Sequence, residues 1–374
     1  MINCSNHFDL GRDKNLIKDV RDGIRQTETV ENLLQRFFHP NATRRVEIQI
    51  LADEVGMGKT FVALGAAYSV LSHLKQLKIE PDLDGCYKRV LVLTPNNHAL
   101  FKKWGREVLE FTKRCVAPEH QDGELNFAPQ LIERIDDLAV ALRKGGRQPQ
   151  VLIGRVGLFG RDKLIDCELK RRFLLGTLFR FWGVRFNYEL RERLLKGAPD
   201  SWPHRADHLT DLTEDEDGRL PFTEDELLRI LSTFNQDDQR ETEALLEICR
   251  ELAVPFFRDR NEAFRKVESK LTGLYRLAAI RSIKQDFPLL IVDEAHHWKN
   301  GPEAGTNGFG DFAKFIAPHI RRTLLLTATP FQLRPDEMLE IMKVSETMQP
   351  CPTKSDSQNR VDHLNNFCLL YTSP

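Results

Sequence analysis

The chain has 374 residues and a formal net charge of −1, and it is 41% hydrophobic and 29% charged. That length holds one large domain or two to three ordinary ones, and that balance excludes both a wholly disordered chain and a polyanion binder working by net charge alone. No apolar run approaches the roughly 18 residues of a membrane span, residues 1–13 lack the apolar core of a secretory leader, and the seven cysteines form no C-x-x-C pair, which speaks for reduced thiols in a cytoplasmic protein without zinc.

Ile17, Val20, Ile24, Val30, Leu33, Leu34 and Phe37 recur at helical spacing and predict a helix over 14–38, ended by Pro40-Asn41. Val46, Ile48, Ile50 and Leu51 then form a strand that runs into the loop Asp53-Glu54-Val55-Gly56-Met57-Gly58. Lys59-Thr60 opens a helix with Leu64, Ala67, Leu71 and Leu74 on one face. Strand, glycine loop and helix in this order are the setting of a phosphate-cradling P-loop. Gly56 and Gly58 let the backbone turn so that the N–H groups from Glu54, Val55, Gly56, Met57 and Gly58 onward approach phosphate oxygens at the positive end of the helix. Lys59 is spaced to reach the β- and γ-phosphates of a nucleotide and Thr60 to ligate Mg²⁺. Asp53 stands where the strict pattern has its first glycine.

Residues 89–94 form a continuous apolar run closed by Pro95, the pattern of a strand buried on both faces. Leu100, Trp104, Val108 and Phe111 resume helical spacing, and Gln150 to Gly154, Pro288 to Val292 and Thr323 to Thr327 are three more buried-strand patterns. Strands alternating with helices predict an α/β fold with a parallel, doubly wound sheet. Between about 160 and 286 the strand pattern stops and the chain reads as helical, with a capping box at Thr223-x-x-Glu226. Charge is segregated there: residues 155–205 hold 12 Lys/Arg against 6 Asp/Glu, and 206–251 hold 4 against 15. The acidic part reads as a solvated surface. The basic part, with Arg155, Arg161, Lys163, Lys170, Arg171, Arg172, Arg180 and Arg185, reads as a candidate for phosphate contacts.

A second acidic feature completes the chemistry. Leu289-Leu-Ile-Val-Asp293-Glu294 puts two carboxylates at the end of an apolar strand. ATP hydrolysis beside a P-loop needs this pair: Asp293 to hold Mg²⁺, and Glu294 to polarise the attacking water.

Asp293-Glu294-Ala295-His296 resembles motif II, the DEAH box, of superfamily 2 helicases and translocases. Leu51 to Thr60 resembles their motif I, in which Asp is common at the position of Asp53; Leu324 to Gln332 resembles motif III, and Val92 to Asn96 with Lys103-Trp104 resembles motif Ia. The wording of motifs I, Ia and III is most similar to the Swi/Snf-like branch, whose members translocate on double-stranded DNA. The resemblance implies a RecA-like P-loop domain with a central parallel sheet and a helical insertion, ATP and Mg²⁺ as cofactors, and duplex DNA as partner. It implies catalytic roles for Lys59, Asp293 and Glu294, and nucleic-acid contact or coupling through Thr94, Pro95, Lys103, His296, Thr327, Ala328 and Thr329. Gln26 sits where a Q-motif glutamine would read the adenine edge, and reads equally as one polar residue of an amphipathic helix. Val151 to Gly154 resembles the strand before motif Ib, but Gly154-Arg155 replaces its Thr-Tyr or Ser-Tyr ending. Trp104 reads as packing its helix to the sheet, and His297 as structural. No G-x-S-x-G elbow supports serine-nucleophile chemistry.

The expected organisation is an N-terminal helical segment with the Q-motif-like region (1–45), the first part of the lobe (46–159), the helical insertion (160–286), the second part of the lobe (287–345) and a tail (346–374) that is disordered or artefactual. Nothing after residue 345 resembles motifs IV to VI. The chain therefore reads as the first lobe of a longer motor, an ATP hydrolase when full-length and nearly inactive alone. The rival readings are another superfamily 2 motor, such as a restriction-type or RNA helicase, and a nucleotide-dependent scaffold that binds a protein partner through the insertion.

Overall fold

The computed structural model describes residues 2–14, 17, 19–39, 41, 45–52, 58–75, 83–121, 125–159, 175–178, 180–183, 220–252, 260–295 and 312–327. The chain divides into two compact units: Met1–Glu133 with Gly146–Gly160 and Lys284–Pro374, and Arg134–Gly145 with Arg161–Ile283.

The first unit is an α/β fold around six parallel strands: β1 (Ile48–Ala52), β2 (Val90–Thr94), β3 (Pro129–Ile132), β4 (Val151–Arg155), β5 (Leu290–Val292) and β6 (Thr323–Thr327), in the spatial order β1-β6-β5-β2-β4-β3. Every residue of β2, β5 and β6 is buried, as continuous apolar strands covered on both faces require. Five of the six strands follow from the apolar runs. The sixth, β3, begins with a proline and has an exposed Leu131, both tolerated because it is an edge strand that pairs only with β4.

Helix α1 (Val20–Phe37) starts later than the apolar spacing predicts, because Asp19 caps it by accepting from the Arg21 N–H at 2.9 Å. Helix α2 (Lys59–His73) is buried all round its middle, from Phe61 to Leu71, rather than on the single face expected. Helix α3 (His98–Arg114) buries Phe101, Trp104, Gly105, Val108 and Phe111, and a short α4 (Pro118–Gln121) follows. Phe111 gathers Phe8, Phe61, Tyr68 and Phe127 within ring-centroid distances of 5.5 to 6.1 Å. The N-terminal segment is held in this cluster by a bridge between Phe8 and Val116.

Two buried polar side chains tie α1 to the sheet. Gln49 Nε2 in β1 donates to the Leu33 carbonyl at 2.7 Å, and Arg322 Nε, one residue before β6, donates to the Phe37 carbonyl at 2.9 Å. Arg322 is 1% exposed, lies over the Phe38 ring at 5.3 Å and donates again to its neighbour's carbonyl, Arg321 O, at 2.7 Å. The Arg322 donor satisfies the Phe37 carbonyl, which has no intrahelical partner at the end of the helix, and Gln49 adds a second donor to the Leu33 carbonyl.

The second unit is helical: α5 (Ile135–Arg143), α6 (Glu224–Ser232), α7 (Gln236–Leu252) and α8 (Arg260–Arg281), with α8 packed against the other three. The capping box forms, with Glu226 N–H donating to Thr223 Oγ1 at 3.3 Å and Thr223 N–H to Glu226 Oε2 at 2.9 Å. Acids of α7 meet bases of α8, Glu241 with Lys270 at 2.6 Å and Asp238 with Arg281 at 2.5 Å, so part of the acidic run is paired rather than merely solvated. The unit differs from the expected 160–286 insertion at both ends. It takes in α5, whose buried Leu138, Ala139 and Ala141 belong to the core shared with α8. It gives up 284–286, where the Lys284 and Gln285 N–H groups donate to Tyr87 Oη and Asp286 accepts from the Tyr87 N–H. Most of the basic run 155–205 and all of the tail 346–374 lie outside the described residues. No described helix is long and apolar enough to cross a membrane.

Arg322→Met keeps the bulk of the side chain but removes the donor to Phe37. A hydrogen bond from a charged group is worth about 1.5–3 kcal/mol. Urea unfolding should show a loss of that size, and hydrogen exchange should show earlier opening at Leu33 to Phe38.

Candidate functional site

All six strands point the same way, so their carboxyl ends share one edge, the edge at which open parallel sheets bind ligands. Register aligns Ile50, Leu325 and Val292 in one row across β1, β6 and β5, and Leu93 of β2 pairs with Val292. β1 and β5 are each one strand from β6, so their ends lie about 10 Å apart. The segments read as motifs I, Ia, II and III therefore leave the sheet side by side.

Gly58 precedes α2 with φ 83° and ψ 19°, a left-handed conformation that glycine adopts without strain. No side chain caps the helix and its first turn carries no acid, so a bound anion there would meet the positive end of the helix. Lys59 and Thr60, both half-buried, are its first two residues. A second constraint on Gly58 comes from α1: a Cβ there would overlap the side-chain amide of Gln26. Gln26 is 7% exposed, so it faces this loop and not solvent.

At the end of β5 the Asp293 N–H donates to the Leu93 carbonyl at 2.9 Å, extending the β2–β5 ladder by one rung. Both Asp293 oxygens accept hydrogen bonds, Oδ2 from the Trp104 indole N–H at 2.8 Å and Oδ1 from the Glu294 N–H at 3.0 Å. Glu294 has φ 48°, the only positive φ at a non-glycine residue among the described ones. Such a conformation costs a residue with a Cβ about 1–2 kcal/mol, and it turns the chain sharply off the strand at the second carboxylate.

Thr94 and Thr327, at the ends of β2 and β6, are buried. The Thr94 hydroxyl contacts the carbonyls of Pro95 and Gly154 at 3.3 and 3.4 Å, so it links β2 to β4. Pro95 is buried behind it and Lys103 is exposed on α3. Arg155, at the position of the motif Ib departure, pairs with Glu133 at 2.8 Å and lies 5.4 Å over the Phe101 ring. Glu54, Val55, Gly56, Met57, His296, Ala328 and Thr329 lie outside the described residues.

Two residues here went beyond the sequence reading. Asn96 Oδ1 accepts from the Gly157 N–H at 2.7 Å and ties the loop after β2 to the turn after β4. Trp104 does pack α3 to the sheet, at 2% exposure, but it also holds the Asp293 carboxylate. The available signal was general: a buried indole N–H needs an acceptor.

No group of three or more potential His, Cys, Asp or Glu ligands occurs among the described residues. One carboxylate (Asp293) and one hydroxyl (Thr60), both hard oxygen donors, fit Mg²⁺, which is held by one or two protein oxygens together with nucleotide phosphates rather than by an all-protein cage. Compared with protein-family models and with curated proteins, the chain matches none.

The strain at Glu294 is separable from its carboxylate. Glu294→Gly and Glu294→Ala both remove the acid, but only glycine relaxes at φ 48°. The glycine variant should be more stable than the alanine variant by about 1 kcal/mol in urea unfolding. Equal stabilities would place Glu294 in an ordinary backbone conformation.

Proposed function

We propose that the chain carries the ATP-binding lobe of a superfamily 2 nucleic-acid motor of the Swi/Snf-like branch, with the first unit as its RecA-like P-loop domain and the helical unit inserted in it. The observation that carries this reading is convergence. The Gly58-Lys59-Thr60 helix start, the Asp293-Glu294 pair, Thr94 and Thr327 come from separated stretches of chain and meet at one sheet edge, with the Gln26 amide against Gly58.

In this reading the α2 N–H groups and Lys59 hold the β- and γ-phosphates, and Gln26 reads the adenine edge. Thr60 and Asp293 are the residues that would hold Mg²⁺. When bound, the ion would supply positive charge against the negative charge that develops on the transferred phosphoryl group. Glu294 orients a water in line with the γ-phosphate and takes up its proton.

Nucleic acid as the partner is supported by α3. Its exposed face carries His98, Lys102, Lys103, Arg106 and Lys113, and none of these lysines or the arginine is in an ion pair among the described residues. Glu110, an acid among them on this face, is engaged by Arg114. An unpaired cationic stripe beside the carboxyl edge suits a phosphate backbone, and binding to it would weaken steeply with salt. Thr94 and Pro95 at its base, with Thr327, Ala328, Thr329 and His296, would relay between that surface and the nucleotide.

Lys59→Ala should weaken Mg-ATP binding by tenfold or more in calorimetry, since a charge-assisted phosphate contact is worth about 1.5–3 kcal/mol. In the full-length protein, Glu294→Gln should bind ATP as the parent does and lose turnover. Unchanged ATP affinity in the lysine variant would remove the site. Stimulation of hydrolysis by duplex DNA supports the Swi/Snf-like assignment. Stimulation by single strands or RNA alone moves it to another superfamily 2 motor, and ATP binding with no polynucleotide response of the full-length protein moves it to a nucleotide-dependent scaffold.

A further inference from the structure

Asp293 has only a short strand to position it. β5 is three residues long, the chain turns sharply at Glu294, and a carboxylate on such an end has two free torsions. A metal ligand with that freedom must be ordered when the ion arrives, at a cost in affinity.

Trp104 removes the freedom. Its ring is locked on the buried face of α3, in line with Phe101, Val108 and Phe111. From α3 the indole reaches the end of β5, 189 residues later in the chain, and donates to Oδ2 at 2.8 Å. Oδ1 is fixed separately by the Glu294 N–H at 3.0 Å. A carboxylate offers about four lone-pair sites, so one bond to each oxygen orients the group and leaves sites on both oxygens open.

We propose that Trp104 is the positioning residue of the metal-holding carboxylate: its N–H fixes the rotamer of Asp293 in which the group faces the nucleotide edge. The inference rests on the reading that Asp293 holds Mg²⁺. Hydrogen-bond partners of metal ligands typically contribute 10–100-fold in metal affinity. The donated bond also draws charge from the carboxylate, but the measured balance for such partners favours orientation.

The test separates the N–H from the packing. Trp104 is replaced by 3-benzothienylalanine, which keeps the bicyclic shape and puts sulfur in place of N–H, and in parallel by Phe (Trp104→Phe). Mn²⁺ is titrated into each protein with saturating ATP and followed by electron paramagnetic resonance; ATP affinity without metal and urea stability are measured alongside. The expected result is a 10–100-fold weaker Mn²⁺ affinity in both variants, with metal-free ATP affinity unchanged. If the benzothienyl protein binds Mn²⁺ as tightly as the parent, Trp104 is a packing residue only and the proposal is overturned, while the nucleotide reading stands. If the parent itself binds no Mn²⁺ with ATP, the underlying reading has failed first, and the proposal with it.

Discussion

The rung from the Asp293 N–H to the Leu93 carbonyl fixes where the chemistry of this edge begins. It is one step beyond the assigned end of β5, and without it the acidic pair would hang from a three-residue strand. With it, Asp293 is level with the end of β2 and Glu294 is forced into the turn at φ 48°. Strain of about 1–2 kcal/mol is held there by the ladder behind it. The surrounding parallel pairing is all buried, so the strand ends cannot shift without breaking hydrogen bonds that no water would replace.

The other side of the candidate site depends on how α1 is seated. Gln49 and Arg322 take its late carbonyls, and the helix itself is closely approached by the N-terminal segment: a Cβ on Gly23 would come within 2.7 Å of the Gly11 Cα. This seating brings Gln26 against Gly58.

Sheet and site were unequally legible in the sequence. β1, β2, β4, β5 and β6 are strong apolar runs, and a continuous run bounded by turn residues has few other uses in a chain of this composition. β3 escaped because Pro129-Gln-Leu-Ile132 is short and lies at the sheet edge, where only one neighbour is required. α5 falls within the stretch expected as the first part of the lobe but clusters with α8, because a buried helix face in sequence does not say which element covers it. At the site, the order and spacing of Gly58-Lys59-Thr60 and Asp293-Glu294 were readable because local chemistry dictates them. The contacts from Gln26 to Gly58 and from Trp104 to Asp293 join residues far apart in sequence. Only the fold brings these pairs together, and no local pattern encodes them.

The central claim is that a nucleotide lies along this edge with its base at α1 and its phosphates at α2. The most direct measurement is photolabelling of the whole chain with 8-azido-ATP and Mg²⁺, followed by peptide mapping. The account predicts a single labelled region on α1 around Gln26, lost with excess ATP. Specific, ATP-competed labelling confined to the helical unit, with none on α1, would contradict it.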